Sequence, residues 1–146
     1  MKLLAHLLGA LWCLPATILV WLFYILPSWI FKDIEFKQWD GPFIARFKID
    51  RDNPNLNKLH SKWWSNWGGL GLPCAYIYRD DSLHSWDRRF IEKTCRHERR
   101  HCIQWFILGP LFPFVYCFGL LIGAIRGDPY KMNPLEIDAR KAERKE

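Results

Sequence analysis

The sequence predicts an α+β domain held at a membrane: a small β-sheet, a long helix bearing two histidines, a later helix bearing carboxylates, and an N-terminal membrane helix. Three observations carry this prediction. Residues 3–26, "LLAHLLGALWCLPATILVWLFYIL", hold no formal charge, and at about 1.5 Å per residue they are long enough to cross a hydrocarbon core of about 30 Å. From Ser28 to Tyr78 the chain breaks into short alternating runs punctuated by glycine, proline and asparagine, which is the period and spacing of strands. The stretch "SLHSWDRRFIEKTCRHERRHCIQWFILGP" then keeps a helical period until glycine and proline stop it.

A chain of 146 residues has room for one domain of ordinary size beside a membrane segment. Half of it is hydrophobic, and its nine tryptophans suit rings placed at a membrane–water interface. The net charge of +6 fits an anionic lipid surface. It does not point to nucleic acid, because no zinc-finger spacing, glycine-rich phosphate loop or nucleic-acid motif accompanies it. The five cysteines form an odd set without a CxxC pair and read as reduced, buried thiols.

Taken in order, residues 1–27 form a transmembrane or signal-anchor segment in which Pro15 implies a kink, or two half-helices dipping into one leaflet. Lys32, Lys37, Arg46 and Lys48 follow it against Lys2 alone before it, so the basic bias places residues 28–146 on the cytoplasmic side. "IFKDIEFKQW" and "FIARFKID" alternate as strands, and "RDNPN" marks a loop. Trp63, Trp64 and Trp67 are core or interfacial-belt residues, and "GGLGL" is a glycine-rich turn feeding a strand from Cys74 to Tyr78. A serine-capped helix runs from about Ser85 to Leu108. Hydropathy invites a second span at 103–125, but Gly109, Pro110 and Pro113 favour a hairpin that turns back as a core or re-entrant segment. A last helix starts near Pro134 under an Asn133 cap.

The chemistry concentrates in "TCRHERRHCIQW". On a helix, positions i and i+4 share a face, so His97 and His101 can offer two ring nitrogens to one tetrahedral zinc ion, while Glu98 projects beside them as a base for a zinc-activated water. Gln104 lies on the histidine face one turn on. Arg89, Lys93, Arg96 and Arg100 form a neighbouring basic stripe, and Arg99 points away from the histidines. A catalytic zinc site needs a third protein ligand. Glu136 and Asp138 in "NPLEIDAR" both offer a carboxylate, and the residues alone do not separate them.

Across about residues 65–140 the chain resembles the zincin metallopeptidases of the gluzincin pattern, specifically their small membrane-associated bacterial or phage-encoded type. The matching residues are His97, Glu98, His101 and Gln104, then Leu108 to Phe112, then Asn133, Pro134, Glu136, Asp138 and Ala139. The preceding "GGLGL" is similar to the substrate-binding edge strand of that group. Arg99 and Arg100 depart from the uncharged residues usual between zincin histidines. The resemblance implies a zincin-like minimal domain with one zinc ion per chain, Glu136 as third ligand, and Asp138 as the carboxylate that orients a histidine. It also implies hydrolysis of a peptide or protein substrate with Glu98 as general base. Tyr130 or Tyr116 could stabilise an oxyanion or simply pack. Two other expectations compete: a non-enzymatic membrane protein laying its basic stripe on lipid, and a zinc-binding protein without turnover.

Overall fold

Proline and apolar surface together decide how the N-terminal segment folds. The computed structural model describes residues 2–49, 68–80 and 88–144. Trp63, Trp64, Trp67 and the serine cap expected for the long helix lie outside them. Helix α1 (Lys2–Trp12) and helix α2 (Leu14–Val20) meet at Cys13, and the Leu3–Trp12 and Leu14–Ile30 stretches are bent 66° from each other. Pro15 causes the break, because it has no N–H to give and its ring meets the carbonyl four residues back; it fits only the first turn of a new helix. A π turn at Trp21–Ile25 then leads into α3 (Leu26–Ile30), where Pro27 raises the same conflict. The uncharged run, expected to kink at Pro15 or to split into two half-helices, is bent there into an elbow.

That elbow covers the sheet. Strands β1 (Ile34–Trp39), β2 (Ala45–Ile49), β3 (Gly69–Leu72) and β4 (Ala75–Arg79) lie in the order β1-β2-β4-β3. The two outer pairings are antiparallel, and the central β2–β4 pairing is parallel. The period of two puts Ala45, Phe47, Ile49, Ala75 and Ile77 on one face, where Ile25, Trp21 and Tyr24 close over them. Tyr76 and Tyr78 face the other way, onto Cys95, Cys102 and Phe106 of helix α4 (Arg88–Leu108), with Cys13 at the edge. Each Ile or Phe side chain among them stabilises the stack by about 1.5–3 kcal/mol when fully buried. Residues 20–25 of the N-terminal segment thus pack on the sheet.

The "GGLGL" stretch, read from its glycines as a turn and through the resemblance as part of an edge strand, forms the edge strand β3. A Cβ built on Gly69 would overlap the Glu98 carboxylate, and one built on Gly71 would overlap His101 Cβ. Only glycine lets this strand lie so close to α4.

The hairpin expected at "GPLFP" does not form. Helix α4 passes through a single 3₁₀ turn (Gly109–Leu111) into α5 (Phe112–Ile125), and the 38 residues Arg88–Ile125 make one helical rod, long and apolar enough to cross a membrane. Pro110 and Pro113 stand in the first turns of their helices, where a missing N–H costs nothing. Gly109 takes the left-handed φ of +56° and packs under the Trp12 indole. The chain reverses only after Ile125, through Gly127 at φ +100°. It returns along α5 with Pro129 against Gly123 and Asn133 against Gly119. Helix α6 (Pro134–Glu143) follows, capped as expected: the Asn133 side chain accepts from Leu135 N–H at 3.0 Å.

The rod consequently has two faces. Phe112, Tyr116, Gly119 and Gly123 look inward, whereas Ile107, Leu111, Phe114, Phe118, Leu121 and Ile125 form an exposed apolar stripe with helical spacing. Gly109→Ala meets both a left-handed backbone and the Trp12 ring, so it should lower stability by about 1–3 kcal/mol, read as a lower thermal midpoint in detergent.

Candidate metal centre

Helix α4 brings His97 and His101 to one inward face, and α6 lays Glu136 across them; all three are buried. His97 Nε2 and His101 Nε2 are 3.1 Å apart. Glu136 Oε2 is 3.3 Å from the first and Glu136 Oε1 is 3.2 Å from the second. Among the described residues this is the cluster able to hold a metal ion, with its ligand atoms all within 4.8 Å of one another.

The outer nitrogens determine what the inner ones can do. His97 Nδ1 donates to Glu143 Oε1 at 2.7 Å. His101 Nδ1 donates to Gln104 Oε1 at 2.8 Å. The Gln104 amide is itself oriented, since its Nε2 donates to the Leu135 carbonyl at 3.0 Å and to Asp138 Oδ2 at 2.9 Å, which leaves its oxygen facing the histidine. With a proton held on each Nδ1, both Nε2 atoms present lone pairs. Two lone pairs and a carboxylate face one point without a donor among them, and such a set calls for a cation. Glu136 Oε2 has no hydrogen-bond partner although it is buried. Burial opposes charge at Glu136 and at His97, yet their attraction outweighs it: the carboxyl lies well below the usual carboxylate range and the imidazole above its ordinary value.

The supporting shell ties α4 to α6. Arg100 grips Asp138 with two hydrogen bonds, at 2.6 Å and 3.1 Å, and Arg96 donates to the Glu143 carbonyl at 3.2 Å. Two members of the expected lipid-facing basic stripe therefore hold the C-terminal helix, and Arg100, the apparent intruder between the histidines, fixes Asp138 and through it Gln104 and His101. Arg99 is exposed on the opposite side, near Gly41. Tyr116 O–H donates to Glu136 Oε1 at 2.8 Å. Arg140 stands 3.8 Å from Oε2, with its guanidinium 5.9 Å from the centre of the Tyr130 ring.

Glu98 is buried beside the cluster, against the glycine face of β3, where its carboxylate accepts from the Gly71 backbone N–H. Burial pushes its carboxyl up to about 7, against the pull of His101 and His97.

Of the expected residues, His97, His101 and Glu136 converge, Glu98 and Gln104 adjoin them, and Asp138, expected to orient a histidine, instead bonds Gln104 and Arg100, while Gln104 and Glu143 hold the two histidines. Glu143 was not anticipated. It sits two helical turns beyond Glu136 on the same face, and that i, i+7 spacing is the signal that reveals it. Removing an orienting partner typically weakens a metal site about 10–100-fold. Glu143→Gln and Asp138→Asn should each loosen a bound divalent transition metal by about that factor, whereas Glu136→Ala should abolish binding, as measured by chelator competition. No known protein family, curated protein or solved structure matches the chain.

Proposed function

We propose that the chain is a membrane-associated, zinc-dependent metallopeptidase in which His97, His101 and Glu136 hold the metal and Glu98 is the general base. The observation that carries this reading is the donor-free convergence of two Nε2 lone pairs and one carboxylate, with both outer nitrogens anchored. Two imidazoles and a carboxylate are a ligand set that zinc favours, and it leaves a fourth position open. When bound there, the ion supplies Lewis acidity toward a carbonyl oxygen.

The remaining chemistry belongs to the protein. Glu98 takes the proton of the attacking water and returns it to the leaving amine, so one carboxylate serves both steps. Its burial against β3 keeps it from pairing with solvent cations. Tyr116 holds the Glu136 carboxylate in place. Among the described residues β3 ends the sheet, and its free backbone edge suits an extended peptide laid beside the cluster. A lipid-binding role for the basic stripe is less well supported, because Arg96 and Arg100 are engaged with α6.

Membrane association rests on the unpartnered apolar surface of the rod and the elbow. The return segment Asp128–Asn133 packs polar backbone and side chains along the inward face of α5. A rod clothed this way on one side and bare on the other suits a helix lying in the interface with its stripe in the acyl boundary.

Purified protein in detergent should carry one zinc per chain and cleave peptide bonds. Glu98→Gln should keep the zinc and lower turnover by about 10²–10⁴-fold. Wild-type protein without metal sinks the reading; zinc with activity indifferent to Glu98→Gln leaves a metal-binding protein without this mechanism. Replacing Phe114 and Phe118 together by serine should reduce flotation with lipid vesicles while leaving the zinc content unchanged.

A further inference from the structure

Two thiols distant in sequence meet at the N-terminal elbow. Cys13 Sγ lies 3.9 Å from Cys74 Sγ, and Thr17 Oγ1 stands 3.5 Å from the first and 3.6 Å from the second. Cys13 occupies the break between α1 and α2, and Cys74 the two-residue turn between β3 and β4. Their backbones are held, since Cys13 N–H donates to the Gly9 carbonyl at 3.0 Å, its carbonyl accepts from Thr17 N–H at 2.9 Å, and the Cys74 carbonyl accepts from Ala45 N–H at 3.0 Å, so the approach of the sulfurs falls to the side chains. The turn also carries a conformational oddity: after Pro73, Cys74 adopts φ +60°, a position that such turns usually give to glycine or asparagine. Its side chain is thereby delivered to Cys13.

Access is asymmetric. Cys13 is fully buried, whereas Cys74 lines an apolar groove of about 290 Å³ together with Leu7, Ala10, Leu14, Thr17 and Trp21. The remaining thiols are placed differently. Cys102 donates to the Ala75 carbonyl at 3.1 Å, Cys95 is buried under the sheet, and Cys117 is exposed on α5.

We propose that Cys13 and Cys74 are a dithiol modification site that closes reversibly to an intrachain disulfide when a small-molecule disulfide enters the groove. The Cys74 thiolate attacks one sulfur of the reagent, forms a mixed disulfide and expels one thiolate. The Cys13 thiolate then attacks Cys74 Sγ and expels the second. The protein pair loses two electrons and two protons, and the two expelled thiolates take up those protons through solvent, so the reagent is reduced to two thiols. The sulfurs must close by roughly 1.9 Å to reach bonding distance. The bond ties the elbow to the turn that ends β3, the strand whose glycines touch Glu98 and His101. This site is independent of the metal reading.

The test uses the full chain carrying Cys117→Ser, in detergent, with one equivalent of 4,4′-dithiodipyridine. Two thiopyridones should be released per chain, and proteolysis after blocking free thiols should give a Cys13–Cys74 linked peptide that dithiothreitol separates. Cys13→Ser should release one thiopyridone and retain the other on Cys74. The proposal is overturned if Cys74 of the parent protein keeps the reagent as a mixed disulfide, if the linked peptide joins other cysteines, or if neither Cys13 nor Cys74 reacts. The parent protein alone decides between these outcomes, so a variant that fails to fold does not protect the idea.

Discussion

Three acceptor atoms directed at one buried point, with no donor among them, are the constraint on which the rest of this structure depends. Left alone they repel, and only a cation or a shared proton makes the arrangement tolerable. The surroundings are organised to keep it: Glu143 and Gln104 fix the outer nitrogens, Tyr116 holds Glu136, and Arg100 and Arg96 pull α6 against α4. The reversal through Gly127 and the Asn133 cap exist at the right distance along α5 to return Glu136 beside the histidines. A helix register one residue different would present Ile137 there.

Much of this was legible in the residues, and what was not has physical reasons. His97, Glu98 and His101 announce themselves because helix geometry alone aligns i and i+4. The α6 start was legible from Asn133–Pro134, a local cap needing no tertiary knowledge. The choice of Glu136 over Asp138 was not, because two residues of helix turn a side chain through more than half a circle and only packing against α4 selects which one faces in. Gly109, Pro110 and Pro113 suggested a reversal, yet prolines in first turns extend a rod as readily as they break one. Arg100 looked like an objection because its partner, Asp138, comes from a different helix.

The N-terminal run teaches a similar lesson. Its lack of charge describes what surrounds it, apolar groups, without saying whether they are lipid or protein. Ile25 and Cys13 are buried by the sheet and α4, while Phe23 and Leu19 remain exposed. The segment does both, and Pro15 and Pro27 let it bend to do so. Strands β2 and β4 show the complementary case: Phe47 and Ile77 share one cluster with Ile25, and Val20, Trp21 and Tyr24 of the N-terminal segment pack against it.

One rod carries both the histidines and the apolar stripe, and this sets a depth. His101 is on the buried face of the rod and the stripe on its exposed face, so with the rod lying in the interface one helix width, about 10–12 Å with side chains, separates them. Under the proposed reading the stripe fixes where lipid begins, so the rod acts as a gauge that holds the reactive centre at a constant height above the acyl boundary. A scissile bond is then selected by where it stands relative to the bilayer plane as well as by the side chains that flank it.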